Sequence, residues 1–134
     1  MLNFRGDIPG THGPFQTDPP RLQVTRTKYF GLVGEEEIVG KRGGRTVDYD
    51  ILLHSPGFTS AQSLTAFLEY LDTLVGVNDV LVETGTVQRV FVDCTFEGFV
   101  PKGGMLPDSA GTLETTAGTW FIPGVLRWHQ LTVV

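Results

Sequence analysis

The chain contains little of several features that would point to a function. Its 134 residues include one cysteine, Cys94, so an internal disulfide framework is excluded. No stretch approaches the roughly 20 apolar residues that a membrane-spanning helix needs, and we expect no membrane partner. Charged residues make up only 19% of the chain, and the net charge of −5 argues against a general nucleic-acid binder. We therefore expect at most passing contact with DNA.

Motifs for catalysis and metal binding are also missing from the sequence. His12, His54 and His129 lie far apart, and none has a second ligand at metal-site spacing. Cys94 stands among apolar residues of a predicted strand without a neighbouring base, so we interpret it as a buried hydrophobic residue. The sequence predicts a protein that is not an enzyme, with no catalytic residue, no metal and no cofactor.

The first twenty residues, MLNFRGDIPGTHGPFQTDPP, are rich in proline and glycine and lack hydrophobic periodicity. Such a segment does not build a helix or a central strand, and it frays unless something holds it. We therefore predict an extended N-terminal arm over 1–20, followed by a single β-rich domain over 21–134. The arm is held either by its own domain or by a neighbouring copy, and its candidate assembly contacts are Phe4 and Phe15.

Residues 31–45 combine glycines with one acidic and one basic cluster. The pattern predicts a long, exposed hairpin with a glycine turn. The two clusters attract each other within the hairpin or pair with the next copy, where exposed ion pairs set register. A contact with a nucleic-acid backbone is the less favoured interpretation of the basic cluster. The candidate assembly contacts in this hairpin are Glu35, Glu36, Glu37, Lys41, Arg42 and Arg45.

Hydrophobic periodicity predicts one helix and several strands in the remaining chain. Apolar residues recur every three or four positions over 60–75, and Ser60 or Thr59 can cap this helix while Gly76 ends it. Strands are predicted over 21–30, 46–53, 80–84, 87–100 and 119–134, with a break near Pro123 and a loop over 101–118. Within 87–100 the predicted buried face is Val90, Val92, Cys94 and Phe96.

Helices and strands do not alternate along the chain, so a parallel βαβ fold is disfavoured. We predict a mainly β (α+β) fold. It consists of an antiparallel β-sandwich or small barrel with one flanking α-helix, a long hairpin and an extended N-terminal arm.

Two residue sets suggest a different class of function. Asp48 and Asp50 share one face of a predicted strand, and Trp120 and Trp128 lie on the last strand. The simpler interpretation is a solvated face for the aspartates and a core or subunit interface for the tryptophans. The alternative is a carbohydrate- or small-ligand-binding β-domain that uses all four side chains.

The segments GRTVDYDILLHS, LTAFLEYLDTLVG, VLVETGTV and QRVFVDCTFEGFV follow one another as strand, helix and two strands. This order over 21–134 resembles the phage tail and baseplate proteins of the tail tube, distal tail and tail-terminator types. The resemblance implies a non-enzymatic structural subunit of a phage or phage-like particle, in the tail, connector or baseplate, with arm and hairpin contacts closing rings. It implies copies of the chain and other virion proteins as partners, and a location in the virion after assembly in the host cytoplasm. A capsid decoration or cement protein is the alternative.

Overall fold

The structure, a computed structural model, describes residues 1–17, 22–27, 36–42 and 44–131, with side chains for 1–17 and 44–131. No helix in these ranges is long and apolar enough to cross a membrane. The described residues form ten strands and one helix, which are Leu2–Asn3 (β1), Asp7–Ile8 (β2), Thr11–Thr17 (β3), Leu22–Thr27 (β4), Glu36–Arg42 (β5), Arg45–His54 (β6), Ala61–Thr73 (α1), Asn78–Glu83 (β7), Arg89–Pro101 (β8), Leu106–Asp108 (β9) and Thr119–Gln130 (β10).

Eight of the strands form one antiparallel sheet. Its order is β2-β1-β7-β8-β10-β6-β3, and β9 pairs with the first residues of β10. The sheet is open, with β2 at one edge and β3 at the other, while β4 and β5 pair separately. The predicted mainly β, α+β architecture with one helix is therefore confirmed.

The open sheet is strongly curled. Strands β3 and β7 lie four steps apart in the sheet order, which corresponds to roughly 19 Å in a flat sheet with ~4.8 Å per step. Nevertheless, His12 Nε2 on β3 lies 2.8 Å from Glu83 Oε2 on β7. The sheet therefore wraps around its concave face, and the hydrophobic core lies inside.

The centre of this core is Trp128 of β10, which is fully buried. Its ring contacts Phe4 at 5.7 Å, Phe96 at 5.3 Å and Tyr49 at 6.3 Å between centroids. Strand β6 supplies one wall through strict alternation of buried and half-buried positions, as its sequence predicts. The buried set on β6 is Val47, Tyr49, Ile51 and Leu53.

Helix α1 matches its prediction closely. Ser60 is the N-cap: its hydroxyl accepts from the Ser63 backbone N–H at 3.2 Å, and its own N–H donates to the Ser63 hydroxyl at 3.1 Å. Leu64 and Leu71 are buried, and the helix lies on β8 and β10. After the helix, Gly76 takes a φ of +85° and donates its N–H to the Phe96 carbonyl at 2.8 Å.

The predicted buried face of β8 is wrong in its first half. Phe91, Cys94 and Phe96 are buried, whereas Val90 and Val92 are exposed. Phe91 of β8 faces Leu81 of β7, and Cys94 faces Asp79. Two residues therefore lie between the paired positions on β8, but only one lies between them on β7. The extra residue forms a β-bulge in which Asp93 has a φ of +58°. The bulge inverts the alternation that the sequence suggests.

The last strand is not broken at Pro123, contrary to the prediction. Strand β10 runs through this residue and pairs with β6 along Phe121–Gln130. The Pro123 carbonyl accepts a hydrogen bond from the Lys102 backbone N–H, just beyond the end of β8. Because the N–H and C=O of a strand residue point to the same side, the position of the missing N–H also faces the interval between β8 and β9. The proline therefore costs no ladder hydrogen bond. The end of the predicted strand, 132–134, lies outside the described residues.

The long hairpin differs from the prediction in its pairing. Residues 36–42 pair with 22–27, not with each other across a turn within 31–45. In this register Glu37 faces Arg26 and Glu36 faces Thr27, so the acidic cluster is not opposite the basic one. In the chain β5 ends at Arg42 and β6 begins at Arg45.

The N-terminal segment belongs to the domain over all of its described length, residues 1–17. Strand β1 pairs with β7, and β3 pairs with β6, so the segment supplies both edges of the sheet. Leu2, Phe4 and Ile8 are buried in the core. Of the two supports considered for the arm, its own domain holds these residues.

Candidate functional site

Strand β3 positions two polar clusters on opposite faces of the sheet. Thr11 pairs with Leu52 and His12 with Ile51, so the two consecutive side chains project to opposite sides. Gly10 permits this close pairing. It has a φ of +133°, and a Cβ there would lie 2.2 Å from the Leu52 carbonyl oxygen.

The cluster on the concave face surrounds Glu83, which is only 4% exposed. Its carboxylate accepts hydrogen bonds from Arg89 Nη1 at 2.7 Å, His12 Nε2 at 2.8 Å and the Tyr49 hydroxyl at 3.1 Å. The Arg89 guanidinium also lies 4.5 Å above the Phe15 ring. Three donors from three other strands therefore compensate one buried charge.

The electrostatics of this cluster follow from its burial and its hydrogen bonds. Burial alone raises the pKa of Glu83, but hydrogen bonds from Arg89, His12 and Tyr49 outweigh it, so this pKa lies below its ordinary value. Burial, followed by the negative charge of Glu83, raises the pKa of Tyr49. The carboxylate therefore stays ionised and the phenol stays protonated. A cleft of about 470 Å³ adjoins the cluster, with His12 and Arg89 in its wall.

The cluster on the convex face joins Thr11, His54 and Glu114. Thr11 Oγ1 lies 2.9 Å from His54 Nε2, and His54 Nδ1 is hydrogen-bonded to Glu114 Oε1. The side chains of His54 and Glu114 are each 13% exposed. The cluster thus places a hydroxyl, an imidazole and a carboxylate in sequence, in the arrangement that activates a hydroxyl as a nucleophile.

Asp108 fixes the loop that carries Glu114. Its carboxylate accepts from the backbone N–H groups of Thr112 at 3.1 Å and Leu113 at 2.8 Å, and from the Thr112 hydroxyl at 2.9 Å. The backbone hydrogen bond from Leu113 is the main cause of a lowered Asp108 pKa. This anchor holds the 109–114 backbone, which follows β9, in place without β-pairing.

The residues of the predicted carbohydrate site are not brought together. Asp48 pairs with Arg127 at 3.0 Å and Asp50 with Lys102 at 2.7 Å. These carboxylates alternate with the buried residues of β6, so they point away from the core in which Trp128 is enclosed. The interpretation of Trp128 as a core residue is confirmed. Trp120 is half-buried against the same core.

The candidate assembly contacts with described side chains pack within their own domain. Phe4 is 1% exposed and therefore not available to a neighbouring copy. Phe15 contacts the Phe91 ring at 5.5 Å, and Arg45 Nε donates to Gln130 Oε1 at 2.9 Å. Of the remaining candidates, Glu35 lies outside the described residues, and only the backbone is described for Glu36, Glu37, Lys41 and Arg42.

Sequence reasoning missed the residues that complete both clusters. Thr11, Glu83, Arg89 and Glu114 belong to no motif, because their partners are distant in the chain. One signal was present: Glu83 follows Leu81 at a spacing of two, which places an acidic residue on a buried strand face. Among the described residues, no three His, Cys, Asp or Glu side chains group as a metal site.

The convex face of β7 and β8 carries an apolar surface, which we call the valine patch. It consists of the exposed Val80, Val90 and Val92 and the half-buried Val82. Val82 pairs directly with Val90 across the two strands. Val90 is 64% exposed, while Val80 and Val92 are 38% and 39% exposed. The bulge at Asp93 creates this surface, since it turns Val90 and Val92 outward while Cys94 stays buried.

No protein-family model matches the chain, and no curated protein is significantly similar to it. The function must therefore be inferred from the surfaces and side-chain clusters of this chain itself.

Proposed function

We propose that the chain is a structural subunit that assembles with copies of itself through the valine patch. Three exposed valines, Val80, Val90 and Val92, surround the half-buried Val82 on one face of β7 and β8. Exposed apolar surface that forms a contiguous patch is typical of an interaction site. This patch is the observation that carries the proposal.

A second copy of the chain is the occupant that the charge distribution favours. The four patch residues carry no ionisable side chain, whereas the whole chain has a net charge of −5. Two copies that meet through their patches bury valine against valine, so the patch residues themselves place no like charges opposite each other. Each Å² of apolar surface that is buried contributes roughly 25 cal/mol to the free energy of association. The exposed valines therefore favour association through this face.

The proposed setting is a phage or phage-like particle, in its tail, connector or baseplate. The support for this setting is the resemblance of residues 21–134 to tail and baseplate proteins. A ring of subunits with negative charge suits a channel through which DNA slides without binding. In this setting the β4–β5 hairpin remains the candidate contact within a ring, with its acidic and basic residues facing the next copy.

Light scattering coupled to size exclusion tests the assembly step. We expect the wild-type chain to be oligomeric, and the double variant Val90→Lys, Val92→Lys to be monomeric, because two lysines on each patch place like charges in the interface. The matched control is Val100→Lys, at the far end of the same strand and 53% exposed. A wild-type chain that stays monomeric at all concentrations, or a control variant that dissociates equally, contradicts the proposal.

Electron microscopy of the purified wild-type chain tests the setting separately. Rings or stacked rings support the tail or connector position. A discrete dimer without ring closure retains the patch as an interface and contradicts the ring.

A further inference from the structure

The Thr11–His54–Glu114 cluster has the geometry of an activated hydroxyl. Thr11 pairs with Leu52 on β6, which brings its side chain diagonally next to His54, two residues further along the same face. The Thr11 hydroxyl and the imidazole are 2.9 Å apart, within the reach that general-base catalysis needs. Thr11 itself is exposed, so a substrate has access to its oxygen.

Glu114 determines which imidazole nitrogen faces the threonine. An ionised carboxylate only accepts hydrogen bonds, so His54 Nδ1 carries the proton that it donates to Glu114. In the neutral imidazole the lone pair of Nε2 is then directed at the Thr11 oxygen 2.9 Å away, and the Thr11 hydroxyl is the donor. This is the tautomer in which the imidazole can remove the hydroxyl proton.

The Glu114 carboxylate is held in a fixed position. It can therefore orient the imidazole of His54, which is the base. Asp108 binds the loop backbone at Thr112 and Leu113, immediately before Glu114. Because His54 and Glu114 are mostly buried, solvent competes little for their hydrogen bond. The imidazole is therefore pre-oriented before any substrate arrives.

A cleft of about 470 Å³ lies next to the nucleophile, and Thr11 forms part of its wall. Leu52, Leu113 and Pro123 give the cleft an apolar surface that suits a short acyl chain. Lys102 and Asp50, which form an ion pair at 2.7 Å, also line the cleft.

We propose that Thr11 is the nucleophile of an ester-hydrolysing site, with His54 as general base and Glu114 as a positioning residue. The substrate class is a carboxylic ester with a short acyl chain. This activity is independent of the assembly role, since the valine patch shares no residue with the cluster.

The reaction proceeds in two steps, acylation of Thr11 and hydrolysis of the acyl-threonine. Thr11 Oγ1 bonds to the ester carbonyl carbon while its proton passes to His54 Nε2, and the alcohol leaves with that proton as its carbon–oxygen bond breaks. Water then attacks the acyl-threonine, giving a proton to His54, which returns it to the Thr11 oxygen as the carboxylic acid leaves. One ester and one water yield one acid and one alcohol.

Covalent labelling of the full wild-type chain tests the nucleophile directly. A fluorophosphonate probe followed by intact-mass and peptide analysis should place a single phosphonyl group on Thr11. Thr11→Val, which keeps the shape of the side chain, should abolish the label. Thr11→Ser should react faster, because it keeps the hydroxyl and removes the methyl group that crowds it. Thr65→Val, on an exposed face of α1, is the matched control and should label like wild type.

Hydrolysis of 4-nitrophenyl butyrate tests the base and its orientation. We expect His54→Gln to lower kcat by about 10²-fold, the lower end of general-base contributions. Glu114→Gln should lower kcat with KM unchanged and move the pH profile, whereas a merely structural role changes neither at a temperature where the variant is folded. A label on a lysine or another histidine, absence of label in both wild type and Thr11→Ser, or equal hydrolysis by wild type and Thr11→Val overturns the proposal.

Discussion

His12 Nε2 lies 2.8 Å from Glu83 Oε2, although 71 positions separate the two residues in the chain. The contact joins edge strand β3 to β7 across the concave face of the curled sheet. It also attaches the N-terminal segment to a buried carboxylate through a hydrogen bond. The stability of the domain should therefore depend on Glu83 more than on any exposed ion pair.

Glu83→Gln should destabilise the domain by about 2 kcal/mol. Breaking a buried ion pair costs about 3–5 kcal/mol, and we expect less here because the Arg89 side chain is 34% exposed. Urea unfolding followed by tryptophan fluorescence measures the change. The matched control is Glu97→Gln on the exposed side of β8, which should alter stability by about 0.5 kcal/mol or less. Equal effects of the two variants contradict a special role for Glu83.

The same carboxylate should make the domain sensitive to acid. The folded-state pKa of Glu83 lies below its ordinary value of 4.5, so the unfolded chain binds more protons near that pH. The stabilisation is then fully present above pH 4.5 and is lost as the pH falls through the folded pKa. Unfolding free energies of wild type and Glu83→Gln should converge on acidification. Parallel curves down to acid pH would show that Glu83 contributes nothing to the acid transition.

The N-terminal segment should be necessary for folding, because it fills the core. Phe4→Ala removes a ring packed against Phe96 and Trp128, and such a change costs about 3–5 kcal/mol. Tyr70→Ala, which removes an aromatic ring that is 45% exposed, should cost about 1 kcal/mol or less. Thermal unfolding by circular dichroism compares the two. If Phe4→Ala unfolds like wild type but associates more weakly, Phe4 is an assembly contact, as the sequence suggested.

Local patterns in the sequence predict the parts of this fold that local interactions determine. The alternation of β6 and the three-to-four spacing of α1 each follow from one face of one element meeting the core. The bulge at Asp93 escapes such reasoning, because it depends on how β8 pairs with β7. The sequence of β8 alone suggests Val90 on the inside, and the paired strand places it outside.

The two polar clusters lie beyond local prediction for a similar reason. The sequence predicts no catalytic or metal-binding role for any histidine, because no second functional residue stands near it in the chain. His54 finds Thr11 and Glu114 only after β3 pairs with β6 and the loop after β9 returns to the sheet. Strands β1 and β2 have two residues each, too few to show an alternation of apolar and polar residues. Their burial follows only from the pairing of β1 with β7.

Cys94 should be almost inert in the folded chain. The thiol is fully buried, and burial is the main cause that raises its pKa from 9.0 to about 11. At pH 8 this shift alone lowers the reactive thiolate population by about 100-fold, and exclusion of the reagent slows the reaction further. Reaction with 5,5′-dithiobis(2-nitrobenzoate) should be slow in buffer and fast in denaturing urea. Rapid reaction in buffer would indicate that β8 opens readily around this residue.

Gly10→Ala should both destabilise the domain and disturb the cluster at Thr11. The φ of +133° is strained for alanine, and its Cβ would lie 2.2 Å from the Leu52 carbonyl oxygen, so β3 must move away from β6. Gly6→Ala is a close control: its φ is +125°, but no atom lies within 4 Å of the added Cβ. Both variants carry the backbone strain of about 1–3 kcal/mol, and only Gly10→Ala adds the clash. We therefore expect the larger loss in urea unfolding, and the loss of phosphonyl labelling at Thr11, for Gly10→Ala. Equal stability and equal labelling of the two variants would show that the close approach of Gly10 to Leu52 does not position the threonine.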